Sequence, residues 1–249
     1  MKRSNVGAAL ALLCVVSAGD AIAAQVRPDP KPSPDVLQIT PQLYRYTTEL
    51  LFGEVWKRHE LAARDRSLIT LAALISAAQT AQMVGHLKLG LDNGLKPSEI
   101  SAMITHLAFY AGWPNAMSAV PVTKTIFAER GITLEPNASA ISAVVGAVGQ
   151  QPSLADVTPQ LAHYTDTVVF GGLWRQTDLG LRDRSLITIA ALIAQGQSAQ
   201  LLPYLNLAMD NGLSQSEAAE VVTHLAFYVG WPKAMSAVPI FKQVFASRG

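Results

Sequence analysis

Arg64-Asp65-Arg66-Ser67-Leu68-Ile69-Thr70 is followed by Leu71-Ala72-Ala73-Leu74-Ile75, a run that is apolar almost all round. It comes back 118 residues later as Arg182-Asp183-Arg184-Ser185-Leu186-Ile187-Thr188, again followed by an apolar run. A charged start leading into a stretch with no polar face reads as a buried central helix, and Asp65 and Asp183 are the expected caps. Working outward, Asp92-Asn93-Gly94-Leu95 recurs as Asp210-Asn211-Gly212-Leu213, and Thr105-His106-Leu107-Ala108-Phe109-Tyr110 as Thr223-His224-Leu225-Ala226-Phe227-Tyr228. Residues 40–131 align on 158–249 without a gap, with 52 identities in 92 positions. Two copies are too few for a solenoid, so the chain reads as two homologous domains packed as a pseudo-dimer.

Each copy carries start and stop signals for about five helices, and no alternating strand pattern of useful length is present, so the fold class is all-α. Thr40-Pro41 and Thr158-Pro159 place proline at the first helical position. A helix over 80–92 ends at Asn93-Gly94. Ser214 and Glu217 form a capping box, which Lys96-Pro97-Ser98-Glu99 varies. A last helix starts at Pro114 and Pro232 and is expected to bend at Pro121 and Pro239.

The remaining segments sort by composition. Lys2 and Arg3, an apolar run from Val6 to Ala18 and Ala21-Ile22-Ala23 give residues 1–24 the layout of a secretory signal peptide, so an exported, periplasmic or secreted protein is expected. The apolar run is too short for a stable membrane anchor. Residues 25–39, with four prolines, read as an extended arm, and 132–157 as a linker with room for one short helix over 138–148. Removing the leader leaves equal numbers of basic and acidic side chains and takes away Cys14, the one cysteine. A neutral chain gives no field for nucleic acid. The five histidines show no pair at i, i+3 or i, i+4, so no metal site is expected.

Two features point to a site. His106 and His224 sit in apolar helical stretches, as core histidines or as shared functional groups. Gln79, Gln82 and His86 share one helix face, with Ala81, Val84 and Leu91 expected towards the core; the second copy has Gln197, Gln200 and Tyr204. That ribbon is a solvated face or a cavity wall, and the retained glutamines favour the wall.

The Arg-Asp-Arg-Ser-Leu-Ile-Thr motif, the helix ending in Asp-Asn-Gly, and Thr105 to Pro114 together resemble the carboxymuconolactone decarboxylase family of the alkyl hydroperoxidase D-like superfamily. The resemblance implies an all-helical oligomer, here three two-domain chains making six domains. It also implies one of two chemistries. The peroxidase pattern of Glu, Cys-x-x-Cys and His falls on Ser67, Gln79, Gln82 and His86, and on Ser185, Gln197, Gln200 and Tyr204; without a thiolate that route is closed. The decarboxylase reading implies a small carboxylated lactone as substrate and no cofactor. In it His86 is the acid-base group, Arg66 holds carboxylate or else serves a cap and ion pair, and Gln79, Gln82 and His106 line the substrate. Arg184, Gln197, Gln200, Tyr204 and His224 are the second-copy equivalents, where loss of the histidine makes a weaker or silent site. A ligand-binding module and a purely structural oligomer of the same fold are the other readings.

Overall fold

A computed structural model describes residues 32–135 and 154–249. The expected leader, the start of the expected arm and the candidate helix over 138–148 lie outside them. Among the described residues there are eleven α-helices and no strand. In the first repeat these are α2 (Pro41–Arg45), α3 (Ala63–Ser76), α4 (Thr80–Asp92), α5 (Pro97–Ala111) and α6 (Trp113–Glu129). The second repeat has α7 (Pro159–Tyr164), α8 (Leu181–Gln195), α9 (Leu201–Asp210), α10 (Gln215–Val229) and α11 (Trp231–Arg248). A π-helical turn follows the first short helix of each repeat, over Tyr46–Leu51 and Thr165–Phe170. The arm is not extended throughout: α1 (Pro34–Ile39) forms, with Pro34 in its first turn, where a missing N–H costs nothing.

The central helices are where the motif placed them, but they start earlier than expected. Ala62 and Gly180 are the N-caps, so Asp65 and Asp183 sit in the first turn. There they complement the helix dipole and pair across the repeats. Arg64 reaches Asp183 at 2.6 Å, and Arg182 reaches Asp65 at 2.9 Å. The first two residues of each motif therefore join the repeats, and α3 packs on α8 along the same seam. From Leu68 to Ile75 every α3 residue is buried, and a single hydrophobic core runs through both repeats. The pseudo-dimer is one body with one interior, not two domains in loose contact.

Among the described residues six glycines have positive φ, and two of them turn the chain out of α5 and α10. Gly112 and Gly230 link α5 to α6 and α10 to α11 at φ of 93° and 88°, a region that side chains with a Cβ avoid. The helices that follow run on through Pro121 and Pro239. The carbonyl that each proline leaves without a donor belongs to Met117 or Met235, both on the exposed face where water can reach.

Candidate active site

The site-forming helices cross over. α5 of the first repeat packs on α8 of the second, and α10 of the second packs on α3 of the first. Each repeat therefore lends its histidine helix to the other, and the grouping expected from sequence is corrected accordingly. Arg66 and His86 meet His224, not His106. His106 instead joins Arg184 and Tyr204.

Arg66 is fully buried and heavily committed. Its Nε donates to the Leu61 carbonyl at 3.1 Å and its Nη2 to the Arg58 carbonyl at 2.8 Å. The Nη2 also pairs with Glu220 at 2.8 Å, and Nη1 lies 3.3 Å from Nδ1 of His224. The carboxylate that Arg66 holds thus comes from the chain itself, and of the two roles left open for it the ion pair is the one realised. Arg58 shares that carboxylate through Nε at 3.0 Å and bonds Glu60 at 2.9 Å. At 37% exposure, against none for Arg66, Arg58 is the cation of the site that solvent reaches.

His224 has a defined tautomer. A guanidinium can only donate, so Nδ1 accepts from Arg66 and the ring proton sits on Nε2, which gives it to the Thr70 hydroxyl at 2.8 Å. Burial, reinforced by the Arg66 charge, drives its pKa well below the usual histidine range, so the ring is neutral. His106 repeats this with Thr188 at 2.8 Å and Arg184 at 3.4 Å, and is held neutral the same way. Both are buried anchors for an arginine, the core-histidine reading, and neither is a proton donor at neutral pH.

His86 is different. Its ring stacks on Trp56 with centroids 5.9 Å apart and meets Tyr228 edge-on at 5.2 Å. Its Nδ1 is buried and has no hydrogen-bond partner. Burial pushes its pKa down to about 4, so the ring is neutral and does not titrate near pH 7. Beside it, the Tyr228 oxygen accepts the Trp56 indole N–H at 2.8 Å. With its oxygen accepting, the phenol proton of Tyr228 is left to be given away. Burial raises the pKa of that phenol, so it stays protonated.

The glutamines do not reach this cluster. The buried stripe of α4 is Met83, Leu87 and Gly90, while Ala81 and Val84 are exposed and Leu91 only partly buried. That stripe puts His86 at the edge of the core and turns Gln79 and Gln82 outward, where both are exposed. Gln79 spends its amide on the Ala77 carbonyl, and Gln197 and Gln200 are exposed as well. At those four positions the ribbon is a solvated face, and only His86 and Tyr204 turn inward.

Sequence reasoning passed over Trp56, Arg58, Thr70, Glu220 and Tyr228. Trp56 and Tyr228 carried a signal, since Trp174 and Tyr110 repeat them at 118 residues. Glu220 carried the opposite one: its counterpart is Ala102. The second site is built on the same plan with different groups. Gln176 replaces Arg58 and Asp178 replaces Glu60. Arg184 pairs with Asp178 at 2.6 Å, Trp174 donates to Tyr110 at 2.7 Å, and Tyr110 donates to Tyr204 at 3.2 Å.

An all-helical tandem repeat with a buried arginine, histidine and tyrosine cluster shared between its halves is the class this architecture defines. Residues 41–125 and 159–243, well over half of the sequence, each match the carboxymuconolactone decarboxylase family, and the chain belongs to it. It is 31% identical over 90 residues to a 4-carboxymuconolactone decarboxylase of Acinetobacter baylyi, a match covering 36% of this chain and 67% of that protein. It is 36% identical over 80 residues to the nitrosuccinic acid decarboxylase npaB of Metarhizium robertsii, covering 32% of this chain and 56% of that one. Both relatives are decarboxylases, and the matched stretch spans little more than half of the second.

Proposed function

We propose that the first site decarboxylates a small carboxylated lactone or related acid, and that the second site is silent in this reaction. The observation that carries the reading is the pair formed by His86, whose buried Nδ1 has no partner, and Tyr228, whose phenol proton is free to give. Loss of CO₂ breaks the bond between carbon and carboxylate and sends its electron pair towards a conjugated carbonyl oxygen. Tyr228 would donate to that developing oxyanion. His86 would return the proton to carbon and recover one from water, so one proton enters as one CO₂ leaves. A bound substrate carboxylate supplies the negative charge that raises the pKa of His86 from its low resting value. Arg58 is the cation suited to that carboxylate, because it is partly exposed whereas Arg66 is fully buried. No cofactor takes part in this scheme.

The test is CO₂ release from unsaturated lactone acids by the full chain. Turnover with one CO₂ per substrate is expected. Binding without turnover would make the protein a ligand-binding module instead.

Two further parts of the proposal concern the whole chain. Trp113, Met117 and Val120 on α6, and Trp231, Met235 and Val238 on α11, form matching exposed apolar stripes at helical spacing. They suit burial between chains, and light scattering should give a trimer; a monomer at micromolar concentration would exclude that assembly. Export rests on the leader sequence, so N-terminal sequencing should find a mature start near Ala24 or Gln25, and a start at Met1 would exclude it.

A further inference from the structure

We infer that the second inter-repeat site is a binding site in its own right, for an uncharged aromatic molecule that presents one carbonyl oxygen. The inference does not depend on whether the first site is a decarboxylase. Tyr110 and Tyr204 share one hydrogen bond, and the Tyr110 oxygen also accepts the Trp174 indole N–H at 2.7 Å. Two phenols hold two protons and one mutual bond uses only one of them, so a proton remains to be donated whichever way the pair is written. In the arrangement observed it belongs to Tyr204, which has no acceptor for it among the described residues.

Both phenols line a cavity of about 540 Å³, within the range of small-molecule sites. Its other walls include Phe109, Trp113, Leu161, Val168 and Phe170, and none of the described lining side chains is charged. The nearby Arg184 offers no help to an anion. It is fully buried and spent on Asp178, the Leu179 and Gln176 carbonyls and the His106 ring. A carboxylate entering here would lose its water and find no cation among the described walls, whereas a neutral carbonyl finds the phenol proton and aromatic walls. The exchange of His86 for Tyr204 thus gives the second site a different ligand class.

Isothermal titration of the full chain with coumarin, a neutral aromatic lactone, and with coumarin-3-carboxylate tests this. Coumarin should bind at one site per chain that Val168→Trp blocks, and the carboxylate should bind at that site at least about tenfold more weakly, any carboxylate binding that survives Val168→Trp belonging to the first site. Tyr110→Phe combined with Tyr204→Phe removes both phenol protons and should weaken coumarin about tenfold, at the upper end of what one hydrogen bond contributes. Val168→Trp should fill the cavity and abolish binding; Leu161→Trp, at an even more exposed wall position, serves if the first variant does not fold. Absence of coumarin binding, tighter binding of the carboxylate at the site that Val168→Trp blocks, or unchanged binding in the double phenylalanine and tryptophan variants would each overturn the inference.

Discussion

His86→Ala should lower turnover by about 10²- to 10⁴-fold, the usual cost of removing a general acid-base group, while the chain remains folded. The fold should tolerate it because the buried Nδ1 of His86 makes no hydrogen bond, so only ring packing against Trp56 and Tyr228 is lost. Tyr204→Phe in the silent site should leave the rate within about twofold, since its hydroxyl bonds Tyr110 and not the His86 cluster. The pH profiles carry a second signature. The limb of kcat/KM reports the free site, where burial holds His86 at about 4. The limb of kcat reports the complex, where the substrate carboxylate raises that value. The kcat limb should therefore lie at higher pH. A histidine that only packs would show the reverse outcome: a lower melting temperature in His86→Ala and an unchanged rate.

Glu220→Ala should be the most destabilising single change in the site. It strips the carboxylate from Arg66, which is fully buried and cannot recover its charge balance from water. Breaking a buried ion pair from one side costs about 3–5 kcal/mol. In a chain of this size that corresponds to a fall in melting temperature of roughly 10 °C. The second repeat shows how the same arginine is satisfied without this glutamate: Arg184 takes Asp178 at 2.6 Å where Ala102 stands opposite. Copying that solution with Arg58→Gln, Glu60→Asp and Glu220→Ala together should recover more than half of the lost stability. Thermal unfolding of the single and triple variants checks both values, and a triple variant no more stable than Glu220→Ala would contradict the exchange.

The fold was legible because its signals are local. The gap-free repeat, the Asn93-Gly94 stop, the Ser214 and Glu217 box and the wholly apolar run after Arg66 each act within a few residues, and each marks the element it predicts. The pairing of the two copies was not local. Arg66 is compatible with His106 or with His224, because the two histidine helices carry the same motif; only the packing of α10 on α3 selects His224. The outward turn of Gln79 and Gln82 depends on Met83, Leu87 and Gly90 forming the buried stripe, and neighbouring stripes on α4 were nearly as apolar. The neutrality of His86 is a property of its surroundings, and no spacing rule reports it. Glu220 was visible only as a departure from Ala102, in a comparison otherwise read for its identities.

The central claim is that the working site is assembled from both repeats, with His86 of the first and Tyr228 of the second acting together. The most direct test compares CO₂ release by Tyr228→Phe and Tyr110→Phe, which remove the same hydroxyl from equivalent positions of the two sites. The cross-repeat assembly predicts that Tyr228→Phe loses at least about a hundredfold in rate, as for an oxyanion donor, while Tyr110→Phe stays near the parent. A large loss in Tyr110→Phe with Tyr228→Phe unaffected would place the tyrosine of the first repeat beside His86 and contradict the account.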